Sequence, residues 1–324
     1  MMVTNLIMAL TVLFLIFFVQ NAFAVLLLVL ILAVATLFFI PAEGSAIPAL
    51  VHEKELIAAN SLFSFSLQTG LVVGFLVGGF ALNILGESIT LAGIFIFFIL
   101  SVLLNFFLPK TIKSEVKIHK VGLLRDFWDG IKFIVTTKII RDSIFFLTLT
   151  TTIFFILATI GPGYVDKILN LNIKYSSALV VAPAVVGMAL GSILLNHVAK
   201  RLAERVLVNI GLLGLGGTFL ILASFGNHQL GIFFQFFSLF CIFLLGVENA
   251  FITIPVTTDF QKNTPEKMRG RAYGLLGTFI SGVAALPVIL SGAIGDLFGV
   301  RSVLTVLGIV VLGFGLYRLR VRKI

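Results

Sequence analysis

The sequence predicts an all-α membrane protein, a bundle of about ten transmembrane helices in a four-plus-six arrangement. Three observations carry that expectation. Only 11% of the 324 residues are charged and 59% are hydrophobic, whereas soluble domains draw on about 25% charged residues to face water. The apolar residues run in uncharged stretches of the length that a bilayer core of about 30 Å demands of a helix. The basic residues gather on alternate loops, as membrane topology requires.

Met1 to Ala42 carries no charge. One helix of that length would be about twice the needed span, and Gln20-Asn21 is the polar pair in mid-run, so two helices are expected to meet there. Leu56 to Gly86 gives a third and Ser88 to Pro109 a fourth. Ser143 to Val165 gives a fifth and Tyr175 to Ala199 a sixth. Val206 to Val247 is again too long, and Gly226-Asn227-His228 reads as a turn between the seventh and eighth. Ala272 to Gly295 is the ninth, and the short run Ser302 to Tyr317 the tenth. On this count 20 of the 23 Lys and Arg residues lie on the side of the termini. Both termini are therefore expected in the cytoplasm, and the net charge of +9 needs no nucleic-acid partner. Met1 to Asn5 has no Lys or Arg, and the run that follows is too long for a signal peptide. The lone Cys241 excludes an intramolecular disulfide.

Residues 109–141 read as a cytoplasmic linker between an N-terminal bundle, 1–108, and a C-terminal bundle, 142–324. Within the linker Leu124, Phe127, Trp128, Ile131 and Val135 recur at helical spacing with Arg125, Asp126, Asp129 and Lys132 between them. That is an amphipathic helix, lying on the inner membrane surface or packed on the bundle's inner face. The bundles also repeat. Glu53-Lys54 and Glu266-Lys267, Leu62 and Leu275, Gly79 and Gly292, and Gly86 and Gly299 all differ by 213 positions. Four matches in one register indicate a parallel repeat of the kind found in some secondary transporters.

At the same segments the chain carries Phe39-Ile40-Pro41-Ala42, Ala46-Ile47-Pro48, Leu56 and Ala59-Asn60-Ser61-Leu62, and later Gln261, Pro265, Arg269-Gly270-Arg271 and Gly274-Leu275. With these the sequence resembles the major facilitator superfamily, and more narrowly its bacterial branch of macrolide-efflux-type and enterobactin-exporter-type proteins. The resemblance implies twelve helices in two bundles of six. Aligned by the repeat, the first span here matches the family's third helix, so the first two and the signature loop between them are lacking. The family's antiporter signature is altered, with Phe75 standing where Pro is usual in Gly74-Phe75-Leu76-Val77-Gly78-Gly79. The loop Lys200-Arg201 to Arg205 keeps the basic residues of another signature without its usual acid.

Ionisable groups at membrane depth are costly and point to function. Glu248 follows a long apolar run, on a helix that by the resemblance lines the central cavity. It is the candidate proton or cation site, with Asn249 and Gln235 as neighbours; the alternative is a position near the cytoplasmic end, paired with a loop Arg. Glu43 reads as an interfacial salt-bridge partner, and Asp142 as a helix cap beside Arg141. Arg269, Gly270 and Arg271 read as a cytoplasmic gate or a lipid-phosphate contact. Asn60 and Gln68 are polar residues that glue helices. Gly74, Gly78 and Gly79, like Gly70, Gly187, Gly191, Gly211 and Gly214, read as packing positions.

No His or Cys stands at metal-ligand spacing and no phosphate loop appears, so neither an enzyme nor a cofactor is expected. The function implied is a secondary transporter in a bacterial cytoplasmic membrane, exporting a small amphipathic or drug-like compound by alternating access. The proton is the candidate coupling ion, and membrane lipid is a further partner. Two alternatives are an N-terminally truncated chain that transports nothing and a lysophospholipid-type flippase of the same superfamily.

Overall fold

The first uncharged run breaks at its polar pair. In the computed structural model, which describes residues 1–107, 123–172, 177–199, 201–224 and 231–321, helix α1 (Met2–Phe18) ends just before Gln20. Asn21 then caps α2 (Ala22–Leu50), its Oδ1 accepting from the backbone N–H groups of Phe23 and Ala24 at 3.1 and 3.2 Å. The cap satisfies two of the donors that a helix start leaves open. Helix α3 (Leu56–Phe106) is broken at Gly86, whose φ of 77° and ψ of 173° lie in a region that is essentially glycine's alone. Then follow α4 (Leu123–Thr136), α5 (Lys138–Lys167), α6 (Ala182–Val198), α7 (Glu204–Ser224), α8 (Ile232–Asn263), α9 (Arg269–Phe298) and α10 (Val300–Val321). No strand occurs among the described residues. The turn expected at Gly226-Asn227-His228 and the linker stretch before α4 lie outside them.

Eight of these stretches are long and apolar enough to cross a bilayer, against the ten expected from sequence. Met2–Phe18 is apolar but has only 17 residues, and the part of α3 before Gly86 is not among the eight. Two boundaries also move. Helix α8 runs on through Pro255 to Asn263, so Glu248 stands near its middle and not at its end. Helix α5 begins at Lys138, which puts Asp142 in the second turn and not at the cap.

The 213-residue register reappears in the geometry. A short 3-10 turn, Glu53–Glu55, precedes α3, and another, Glu266–Met268, precedes α9. Helices α2 and α8 end at Leu50 and Asn263, and the two positive-φ glycines are Gly86 and Gly299, all at the same offset. In the second unit α7 crosses α10 closely, with Gly216 against Leu312 and Gly308 against Leu220. In the first, Asn5 of α1 donates to Ser101 of α3 at 2.7 Å. Helices α1 to α3 therefore correspond to α7 to α10. Helices α5 and α6 have no counterpart in the first unit among the described residues.

That asymmetry decides where the core sits. The large buried cluster, built around Phe219, Phe260, Leu212 and Leu304, belongs to α5 and α7 to α10. Helix α8 is half buried along its apolar window, at 56%, whereas α2 is only 6% buried. Helix α8 has α5, α6 and α7 around it; α2 presents Phe23, Leu26, Leu37 and Phe38 outward, each more than two-thirds exposed. Such surface is stable only against lipid or another apolar helix.

Glycines set the closest approaches. Gly187 and Gly191 of α6 meet the backbone of α8 at Phe243 and Val247, and Gly246 of α8 meets α6 at Ala184 and Met188. Any side chain at these positions would force the two backbones apart. Gly74 was expected to do the same, but among the described residues a Cβ there, or at Gly70, would meet nothing within 4 Å. The surroundings of Gly78 and Gly79 lie outside the described side chains. The amphipathic helix α4 packs on the bundle, its Gly130 against Leu275 and Arg271 of α9 and its Ile134 buried in the core.

Gly299→Ala should cost about 1–3 kcal/mol, because alanine resists its backbone conformation. Gly217→Ala, in open space within a helix, should be neutral or slightly stabilising. Thermal unfolding followed by circular dichroism in detergent checks both.

Candidate functional site

Five residues from four helices converge where α2 and α8 end and α3 and α9 begin. Asn60 of α3 donates from Nδ2 to Gln261 Oε1 of α8 at 2.7 Å and to Thr258 Oγ1 at 3.1 Å. Gln261 returns a bond from Nε2 to Asn60 Oδ1 at 3.2 Å and reaches the Tyr273 hydroxyl of α9 at 3.2 Å. The Tyr273 hydroxyl donates in turn to the Gly44 carbonyl of α2 at 2.9 Å. Asn60, Thr258 and Gln261 are at most 3% exposed. The Tyr273 ring reaches Gly44 only because glycine leaves the space: a Cβ there would lie 2.6 Å from Cε1 of the ring. The ring also stands edge-on to Phe260, 5.0 Å away.

This knot joins the two repeat units. Under the 213-residue offset Asn60 corresponds to Tyr273, and Ser45 to Thr258. The sequence marked Asn60 as glue and Gln261 as part of a family-like segment. It gave no sign of Tyr273, Thr258 or Gly44, although projecting Asn60 through the repeat would have found Tyr273. About two helical turns deeper, Gln68 of α3 bonds to the Met188 sulfur of α6. Beyond it, Leu71, Val73 and Val77 of α3 are 42–58% exposed. The units thus touch at the end that carries Lys54, Lys262 and Lys267 and part toward the other end.

The residues expected at a gate surround this knot. Arg269 is half-buried at the start of α9, Arg271 is exposed with its Cβ near Gly130, and Gly270 is exposed with open space around it. Glu43 is half-buried beside Gly44, and among the described residues it forms no ion pair, contrary to the salt bridge expected of it.

Glu248 occupies a separate place, between α7 and α8 inside the second unit. Its Oε1 accepts from Thr218 Oγ1 at 2.8 Å, while Oε2 is buried without a hydrogen-bond partner. Gly214 provides the slot: a Cβ there would lie 2.8 Å from Oε1 and 3.0 Å from Cδ. The sequence read Gly211 and Gly214 as packing positions, and at Gly214 the packed object is a carboxyl group. Among the described residues no loop Arg pairs with Glu248. Asn249 accepts from Thr253 at 2.9 Å and borders a small cavity with Phe154, Leu157, Met188 and Phe219. Gln235 is not a neighbour of Glu248. It lies in the first turn of α8, about 20 Å along the axis from Glu248, and donates to the Leu169 carbonyl just past the end of α5 at 3.0 Å.

An ion pair that sequence reasoning missed lies near the knot. Lys262 of α8 meets Glu204 of α7 at 2.8 Å, with Asp259 also in reach of Glu204. Glu204, in the first turn of α7, is thus paired across to α8. Among the described residues no group of three or more His, Cys, Asp or Glu could hold a metal ion.

Two comparisons bear on this architecture. The family model described as Major Facilitator Superfamily matches residues 1–288. An uncharacterized MFS-type transporter of Bacillus subtilis (strain 168), YfmI, is 22% identical over 286 residues, covering 86% of this chain and 68% of the relative.

Asn60→Leu or Gln261→Leu alone should each cost about 1–3 kcal/mol, by leaving a buried amide without its partner. The double substitution should cost less than the sum, and a double-mutant cycle of unfolding in detergent reads the coupling. Gly214→Val should likewise destabilise, by driving the Glu248 carboxyl from its slot.

Proposed function

The chain belongs to the major facilitator superfamily, a family of secondary transporters, and from that premise we propose that it exports a small amphipathic or drug-like compound across a bacterial cytoplasmic membrane by alternating access. The observation that carries this reading is the Asn60–Gln261–Tyr273–Gly44 knot. It ties the two repeat units together at the end where α2 and α8 stop and α3 and α9 start. The loops at that end hold most of the Lys and Arg, which supports a cytoplasmic position for it and for both termini. Opening the cytoplasmic side then means parting Asn60 from Gln261 and Tyr273 from Gly44. Those bonds are few and neutral, so they can be exchanged for water as the units rock. The ten-span count belongs to this reading, with α1 and the first part of α3 as the two spans beyond the eight.

The chain is rich in apolar residues and carries few charges, which suits an apolar or aromatic cargo. Glu248 is the coupling residue in this proposal. A carboxyl held by one hydroxyl, with its second oxygen bare, has a place for a proton. Its slot in the well-packed second unit lets its protonation state bear on how α7 and α8 fit together. Arg269 and Arg271 serve as the anchors of the gate helix α9.

The test is transport by inverted vesicles bearing the full chain, energised by a proton gradient and offered a panel of fluorescent amphipathic compounds. Accumulation of one of them is the expected result, and no transport across the panel would sink the reading. Glu248→Gln keeps the Thr218 bond and the fit against Gly214. It should abolish gradient-driven accumulation while leaving substrate counterflow intact. Unchanged accumulation would remove Glu248 from the coupling role.

A further inference from the structure

Helix α4 has two faces of different chemistry, and its orientation is fixed. Gly130 and the buried Ile134 lie on one side, against Leu275 and Arg271 of α9. At 100° per residue, Trp128, Lys132 and Val135 fall together on the opposite side. Trp128 is 64% and Val135 58% exposed, and Lys132 is exposed between them. Because Gly130 fits so closely under Leu275, the helix cannot roll to hide that side. Lys138, Ile139 and Arg141 continue outward at the start of α5, with Ile139 46% exposed. The exposed acid in this stretch of α4 is Asp129, at the edge of the face.

We infer that this face is a docking surface for the membrane's own inner leaflet, specifically for anionic phospholipid headgroups. The indole and the valine enter the interface and Lys132 and Lys138 meet the headgroup charge, while Arg141 lies 4.0 Å from Asp142 and is offset by it. Two features select that occupant. The helix sits at the ends of α5 and α9, where the spans leave the bilayer, so headgroups are its nearest neighbours outside the protein. An aromatic ring beside aliphatic side chains and lysines is the composition that holds a helix in the interface, and each cation near an anionic leaflet adds to the attraction.

The chain contains a single tryptophan, so its fluorescence reports on α4 alone. The full chain is reconstituted in vesicles of zwitterionic lipid, or of zwitterionic and anionic lipid mixed, with acyl-chain-brominated lipid as a quencher from the membrane side and iodide as a quencher from water. The inference expects strong quenching by brominated lipid, protection from iodide, and more of both when anionic lipid is present. Lys132→Gln with Lys138→Gln should cut the contrast between the two vesicle types to less than about half, since each cation near such a surface contributes separately. Both lysines are exposed, so the fold is not at stake, and Trp128 is retained as the probe. Free quenching by iodide without effect of brominated lipid would overturn the inference, placing the face in water. Protection from both quenchers would also overturn it, because protein would then cover the face. Lipid quenching that ignores headgroup charge and both substitutions would overturn the recognition of anionic lipid.

Discussion

An amide buried among transmembrane helices has no water to fall back on, and the pairing of Asn60 with Gln261 is the constraint around which the rest of this architecture is arranged. Each amide offers donors and acceptors that must be met within protein. The two meet each other, and the remaining valences draw in Thr258, Tyr273 and the Gly44 carbonyl. This fixes the end of α2 against α9 and the start of α3 against α8. The register between the repeat units is set by polar groups that have few alternatives, and apolar contact then fills in around them. Ile57, for instance, packs on the small cluster of Leu195, Leu207, Phe251 and Ile254.

The two units differ in how firmly they are built. In the second, α5 and α6 enclose α8, and glycines on both sides of the α6–α8 seam bring the backbones into contact. In the first, α2 and the end of α3 show most of their surface outward. The firmly packed second unit is the more rigid body, and it meets the first through these neutral hydrogen bonds and through the packing of α3 along α6, so relative motion of the units must be taken up at that junction. Glu248 lies away from that junction, within the rigid body, so any influence it has on the gate passes through the packing of α7 and α8.

The linker helix adds a third party to the junction. Gly130 of α4 touches α9 at Arg271 and Leu275, on either side of Tyr273, the residue that bonds to Gly44. Whatever holds the outer face of α4 therefore also bears on the first turns of α9.

The sequence by itself determined the class, the helical segments and the repeat. Those depend on local quantities: uncharged length, the polar break at Gln20-Asn21, and glycines at a fixed offset, two of which, Gly86 and Gly299, prove to be positive-φ breaks. It marked Glu248 as a buried acid and Asn60 as helix glue, because polar atoms in apolar runs stand out. Only the tertiary structure decided their partners. Thr218 is 30 residues from Glu248, and Gln261 is 201 from Asn60; a pairing at that distance leaves no local trace. For the same reason Gln235 proved remote from Glu248, which shares its helix. Gly74 proved to face open space, and Gly214 to hold a carboxyl group. A glycine looks the same in sequence whether a backbone, a side chain or nothing lies opposite, and what lies opposite is set by how the helices cross.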